Sequence, residues 1–336
     1  MPSAPLEPMA VIGAGSWGTA LAIQLARAGH PTYLWGRDLA QLDAMRRARC
    51  NERYLPDAAF PDPLEIALDL NQALGGGRDA LIAVPSHAFR ATLELIEGNL
   101  SGDTRIAWAT KGFEISTGLL PHQVASEVLG DRPGAVLSGP TFAKEVGAGL
   151  PTAMTVASRD EVFAKALASR LSGPNFRAYM QSDIMGVEVG GAVKNVIAIG
   201  SGIADGMGFG ANTRVALIAR GLAEMMRLGV KLGAIRETFM GLAGLGDLVL
   251  TCTDDQSRNR RLGLALGRGR SLEEAQGGIH QVVEGVLASR AVCAVAEQLS
   301  VEMPICREIF RIMHEKKPVR EAVQELMGRE LRSETE

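Results

Sequence analysis

Met9-Ala10-Val11-Ile12-Gly13-Ala14-Gly15-Ser16-Trp17-Gly18-Thr19-Ala20-Leu21 is the stretch on which the fold of this chain turns. It opens on an unbroken apolar run, as expected of a strand covered on both faces, and passes into helical patterning from Ser16 to Ala28 that stops at Gly29. Between the two lies a G-x-G-x-x-G, and each glycine in that context has its own physical reason. Gly13 permits a tight turn, Gly15 lets backbone approach a pyrophosphate, and Gly18 lets the helix pack on the strand. The helix start then presents free N–H groups and the positive end of its dipole to phosphate. Outside a strand–turn–helix unit the same six residues would be only a turn.

The rhythm continues outward. Strand candidates recur at 31–35, 80–84, 105–109, 135–137 and 153–157, with helical stretches between them, the second over 38–49. Several runs are apolar throughout rather than alternating, which implies a doubly wound parallel sheet of Rossmann type, class α/β. After about residue 182 the strand signals stop. A long Ala/Val/Ile/Gly-rich pattern covers 183–204, and amphipathic helices follow at 212–228, 258–268, 284–299, 303–315 and 319–327. The expected organisation is a dinucleotide-binding domain over 1–190 and an all-α substrate-binding domain over 191–336. The small residues Gly190-Gly191-Ala192 suggest a helix packed closely on a neighbour.

Bulk properties narrow the function. The 336 residues are 46% hydrophobic and 22% charged, an ordinary globular composition. A net charge of -3 gives no electrostatic case for nucleic acid or an anionic membrane, and the arginines around 46–49 read as a solvated helix face. Cys50, Cys252, Cys293 and Cys306 are scattered, which argues against zinc or a disulfide framework and for free buried thiols. The first eight residues lack signal-peptide character and no apolar run approaches the ~20 residues of a membrane span, so a cytoplasmic protein without membrane insertion is expected.

Polar residues at the ends of apolar elements mark the chemistry. Lys111 falls at the carboxyl end of a strand, the edge where open α/β sheets bind ligands, and Ser138-Gly139-Pro140-Thr141 follows another. Lys194 lies in the most apolar helix with no acid at i±3 or i±4. It either snorkels outward or is desolvated, and desolvation would bring its pKa toward a useful acid/base range. Asp247, inside an apolar run, needs a hydrogen bond or a cation. Ser257 is a plausible N-cap, with Arg258 and Asn259 in the following first turn suited to an anion such as phosphate. At the end of the second strand, Trp35-Gly36-Arg37-Asp38 puts an arginine where an acid would reject a 2′-phosphate. NADP(H) is therefore favoured with NAD(H) still open, and Asp38 is free to cap the next helix. The histidines are dispersed and no metal-spaced cluster exists, so neither a histidine-centred mechanism nor a metal is expected.

Eight motifs occur in order: 13–21, Asn51-x-x-Tyr54-Leu55-Pro56, 109–114, 138–146, 191–196, 244–253, Ser257-Arg258-Asn259 and Val283-Glu284-Gly285. Together they resemble the bacterial NAD(P)-dependent glycerol-3-phosphate dehydrogenase family, over about 9–327. The resemblance implies reduction of dihydroxyacetone phosphate to sn-glycerol 3-phosphate for phospholipid synthesis, with Lys194 exchanging the proton at the C2 oxygen. It implies substrate contacts from Lys111, Gly139, Thr141, Lys194, Asp247, Ser257, Arg258 and Asn259. It implies dinucleotide contacts from Gly13, Gly15, Ser16, Trp17, Gly18, Arg37, Tyr54, Lys111, Ala143 and Arg258, with Val282 and Glu284 reaching across from the helical domain. A homodimer is compatible with it. The competing expectation is a two-domain reductase of hydroxy or keto acids, which would share the loop and the lysine but not need residues 257–259; a dinucleotide sensor without catalysis would have little use for Lys111, Lys194 and Asp247 together.

Overall fold

The computed structural model describes residues 7–279, 283–330 and 333. Among the described residues there are ten strands: β1 (Met9–Ile12), β2 (Thr32–Trp35), β3 (Cys50–Asn51), β4 (Leu55–Ala59), β5 (Leu64–Ile66), β6 (Asp79–Ile82), β7 (Arg105–Trp108), β8 (Gly134–Ser138), β9 (Thr152–Ser158) and β10 (Phe176–Gln181). Eight of them form one sheet in the order β10-β9-β8-β7-β6-β1-β2-β5, and β3 and β4 form a separate hairpin. The chain runs from β1 to β2 on one side and later returns to place β6 on the other. That reversal opens a crevice beyond the carboxyl ends of β1, β2 and β6, the usual ligand position in such sheets. The registers Ile12↔Trp35, Ile12↔Ile82 and Ile82↔Trp108 align those ends on one edge.

The apolar runs are continuous because the sheet is covered on both faces: Met9, Val11, Ile12, Leu81 and Ile82 have no exposure at all. One expectation is corrected. The sheet is not wholly parallel, since β9 runs antiparallel to β8 with Ser138 opposite Thr155. The connection between them makes one short helix, Ala143–Ala148, and never travels back across the sheet. The chain therefore re-enters from the edge it left, and a parallel return would have required a full crossover. β6 also starts one residue earlier than its apolar run, at Asp79. This buried carboxylate is gripped by Arg105 at 2.6 and 2.8 Å, a partner that sequence inspection did not supply.

Helix Ile184–Gly206 is the axis of the second half. Asp183 caps it through Gly186 N–H at 2.9 Å, and Ile184 and Val187 join the core of the sheet while the following turns join the helical core. Among the described residues it is the one helix long and apolar enough to cross a membrane, but 94% of that window is buried inside the protein. Helix Arg258–Gly267 packs directly on its backbone. A methyl group on Gly263 would stand 2.0 Å from the Ile199 carbonyl, and one on Gly202 2.1 Å from that of Arg260. Only glycine admits this approach, and it sets the start of Arg258–Gly267 beside Lys194 and Asn195. All four cysteines are free, and Cys50 is only half-buried rather than buried as expected.

Candidate active site

A cleft of about 910 Å³ runs from the carboxyl edge of the sheet to the helical half. Its sheet side begins with the glycine turn. Gly13 has φ +123 and a Cβ there would meet the Ala83 carbonyl at 2.4 Å; nothing lies within 4 Å of a Cβ on Gly15. Gly15 therefore faces open space where backbone can meet a ligand, and the helix that starts at Ser16 has no side-chain cap to occupy its N–H groups. Gly18 does not line the cleft. It packs against the Gly13 carbonyl, which would be 1.9 Å from its Cβ. The loop is braced from behind by Asn51, which donates to the Ala14 carbonyl at 3.1 Å and to Thr19 Oγ1 at 2.8 Å, while Gln41 donates to the same carbonyl at 3.1 Å. Ser16, Trp17, Arg37, Tyr54 and Ala143 all line the cleft, and the Trp17 indole N–H is buried without a protein partner. Asp38 caps helix Leu39–Ala48 through Gln41 N–H at 3.1 Å, leaving Arg37 exposed at the cleft wall. These features fit a dinucleotide: an uncapped helix start for its pyrophosphate, open backbone at Gly15, and a cation at the end of β2.

At the junction of the two halves three charged groups converge. Lys194 Nζ lies 2.5 Å from Asp247 Oδ1 and 3.1 Å from Thr251 Oγ1, and Lys111 Nζ lies 2.7 Å from Asp247 Oδ2. Of the two alternatives for Lys194, snorkelling is excluded: it is 7% exposed and its partner comes from another helix, invisible at i±3 or i±4. Burial lowers its pKa to about 8, Asp247 opposing and Lys111 reinforcing that fall. Burial pushes the Asp247 carboxyl up, but the two ammoniums outweigh it and hold the group below the usual carboxylate range. Both lysines thus share one aspartate at the cleft floor, with Glu284 also lining the cleft and acting on Lys194.

The helical half completes the wall. Ser257 caps its helix by accepting from Arg260 N–H at 3.2 Å, as expected. Asn259 donates to Asn195 Oδ1 at 2.9 Å and accepts from Gly285 N–H at 2.9 Å, tying three helices together beside Lys194. Thr141, Ser257, Arg258, Asn259 and Glu284 line the cleft with the lysines. Gly139 does not: at φ +146 it shapes the turn, its carbonyl accepting from Thr141 Oγ1 at 3.2 Å. Val282 lies outside the described residues. Sequence inspection missed Asn195 and Thr251, though Thr251 stands at i+4 from Asp247, a spacing that places both on one helix face.

The comparisons fit this geometry. Residues 8–164 match the N-terminal model, and residues 183–324 the C-terminal model, of NAD-dependent glycerol-3-phosphate dehydrogenase. The chain belongs to the glycerol-3-phosphate dehydrogenase family. Relatives named glycerol-3-phosphate dehydrogenase [NAD(P)+] include one from Edwardsiella ictaluri, 57% identical with 98% of each chain covered, and one from Yersinia pestis, 56% identical with 97% of each covered. The crystal structure of glycerol-3-phosphate dehydrogenase from Coxiella burnetii superposes with a TM-score of 0.94 at 48% identity, covering 97% of this chain and 100% of that one. D-Mandelate dehydrogenase, at 14% identity and TM-score 0.63, shares the fold alone. Members of the glycerol-3-phosphate dehydrogenase family are oxidoreductases that use NAD or NADP, and the Rossmann-type sheet with its helical partner is their architecture.

Proposed function

We propose that this chain reduces dihydroxyacetone phosphate to sn-glycerol 3-phosphate, reversibly, with Lys194 as general acid and base. The observation that carries the proposal is the buried Lys194–Asp247–Lys111 array at the floor of the cleft. A bound nicotinamide dinucleotide supplies or accepts the hydride. The protein's part is to hold the ketone, stabilise charge developing on its C2 oxygen, and exchange a proton there. In reduction the Lys194 ammonium gives its proton to that oxygen; in oxidation the neutral amine takes it. Lys111 and Asp247 orient the substrate and set the charge around Lys194. The start of helix Arg258–Gly267, with Ser257, Arg258 and Asn259, suits the phosphate group. Supply of glycerol phosphate for phospholipid synthesis, in the cytoplasm, is the corresponding role, with the two domains of the subunit divided near residue 190.

A steady-state assay tests the assignment: dihydroxyacetone phosphate with NADPH should turn over, whereas turnover of keto acids in its place would overturn it. The pH dependence has a definite sign. With Lys194 at about 8, kcat/KM for reduction is flat at lower pH and falls as the ammonium is lost above about 8, while kcat/KM for oxidation rises through the same pH. Parallel profiles in the two directions would remove Lys194 from the proton transfer. Arg37 is the proposed discriminator. Arg37→Ala should weaken NADPH by roughly 10–100-fold, the range of a lost charge-assisted phosphate contact, and leave NADH almost unchanged. Equal losses for both cofactors would make Arg37 a general wall residue.

A further inference from the structure

Glu188 is a buried carboxylate, 3% exposed, on helix Ile184–Gly206, six residues before Lys194. It has no place in the cleft lining. It accepts the Trp108 indole N–H at 2.8 Å and the His122 backbone N–H at 2.9 Å, and its second oxygen lies 2.5 Å from His122 Nδ1. Trp108 is the last residue of β7, and His122 is the second residue of helix Pro121–Leu129. The segment between them, 109–120, is the loop that carries Lys111. One carboxylate thus gathers both ends of that loop onto the helix that presents Lys194. The middle of the loop follows: Phe113 and Leu120 are buried in the helical core rather than in that of the sheet.

We propose that Glu188 is a positioning residue, holding the Lys111 loop against the Lys194 helix so that both ammoniums meet Asp247. This rests on the roles given above to Lys111 and Lys194. Glu188 does not line the cleft; it acts through Lys111. Burial raises the Glu188 carboxyl toward its neutral form, so a neutral amide is a fair replacement. A glutamine keeps an oxygen for the Trp108 and His122 N–H groups and places an amide group beside His122 Nδ1.

The readout is the titration of Lys194. Lys194 faces Asp247 and Cys252 from one helix, Lys111 from the loop and Glu284 from the start of helix Glu284–Gln298. The Cys252 thiol is pushed up to about 12 by burial and stays neutral near pH 8. Burial is the main cause of the lowered Lys194 pKa and Lys111 adds to it, so withdrawing Lys111 moves the alkaline limb of the reduction profile upward from about 8.

The experiment compares Glu188→Ala, Glu188→Gln and Trp108→Phe with the parent enzyme, measuring kcat, NADPH dissociation constant and the kcat/KM pH profile. Glu188→Ala should lower kcat by about 10²-fold, the scale of a 1 Å misplacement, raise the alkaline pKa and weaken NADPH no more than Lys111→Met does. Glu188→Gln should recover most of the rate and the parent pKa. Trp108→Phe, which removes one donor and keeps an aromatic ring, should move the pKa the same way by less, and it carries the test where Glu188→Ala does not accumulate. In a Lys111→Met background the Glu188 substitution should add little, since the two act in series. A fall in melting temperature with the alkaline limb unmoved, or losses in kcat that multiply in the double variant, would overturn the proposal. A parent enzyme without turnover of dihydroxyacetone phosphate, or a fully active Lys194→Met, would instead overturn the reading on which it rests.

Discussion

Lys194→Met lowers kcat by roughly 10³–10⁵-fold in both directions and leaves the dissociation constant for NADPH within about twofold. Proton transfer by a positioned group contributes about 10²–10⁴-fold. A charge aimed at a developing alkoxide in a dry site adds roughly 10²–10³-fold, and effects of one residue overlap, so the range is set below their product. Cofactor binding is spared because the glycine turn and Arg37 lie on the sheet side, away from helix Ile184–Gly206. Stability is spared too. In the unfolded chain a lysine stays charged to about pH 10.4, whereas here burial lowers it to about 8. Folding therefore disfavours the ammonium below about pH 8 by ~3 kcal/mol, a penalty relieved as pH rises from about 8 to 10.5. Methionine removes that penalty while Lys111 still neutralises Asp247. At pH 7 the melting temperature should hold or rise. Single-turnover kinetics with NADPH, together with a thermal melt, check both halves, and a variant that loses activity only because it unfolds would count against the catalytic role.

Asp247→Ala carries the second large effect, and its cost falls on stability first. Asp247 is 1% exposed and its two oxygens hold Lys194 and Lys111. Without it the buried Lys194 and the partly buried Lys111 converge with only Glu284 left to offset them, and breaking a buried pair in this way costs about 3–5 kcal/mol. For a chain of this size that corresponds to a drop of roughly 5–10 °C in melting temperature. Asp247→Asn separates charge from shape. It preserves volume and an acceptor for the lysines, but it removes the main influence that raises Lys194 against burial. The alkaline limb of the reduction profile should then move well below 8, so that at pH 7 most of the enzyme lacks its acid and reduction falls by at least about tenfold. Oxidation at the same pH should suffer less, because the neutral amine is the form it needs. A limb that stays near 8 in Asp247→Asn would show that the titration belongs to another group.

Much of this is legible in the amino-acid sequence. The glycine turn could be read because its requirements are local: a positive φ at Gly13, no side chain at Gly15, close packing at Gly18. Ser257 and Asp38 as caps were legible for the same reason, a side chain bonding the backbone three residues on. The antiparallel β9 was not, because local pattern says that a segment is a strand and not which way it returns. Nor was β10, an edge strand whose side chains are largely exposed and so lack an apolar signature.

The amino-acid sequence by itself determined that this chain binds a dinucleotide on a doubly wound sheet; it marked Lys194 and Asp247 as residues that apolar surroundings would not tolerate alone, and Lys111 as a cation at the ligand edge of that sheet. It did so because helix and strand periods, glycine conformations and caps are decided within a few residues. Only the tertiary structure decided that the three tolerate one another. Their positions are separated by 83 and 53 residues along the chain, and the partner that resolves each unpaired charge comes from a different element. Coulombic and desolvation energies depend on separation in space and on access of water, so the depressed lysine and the doubly held aspartate exist only once the two halves are packed together.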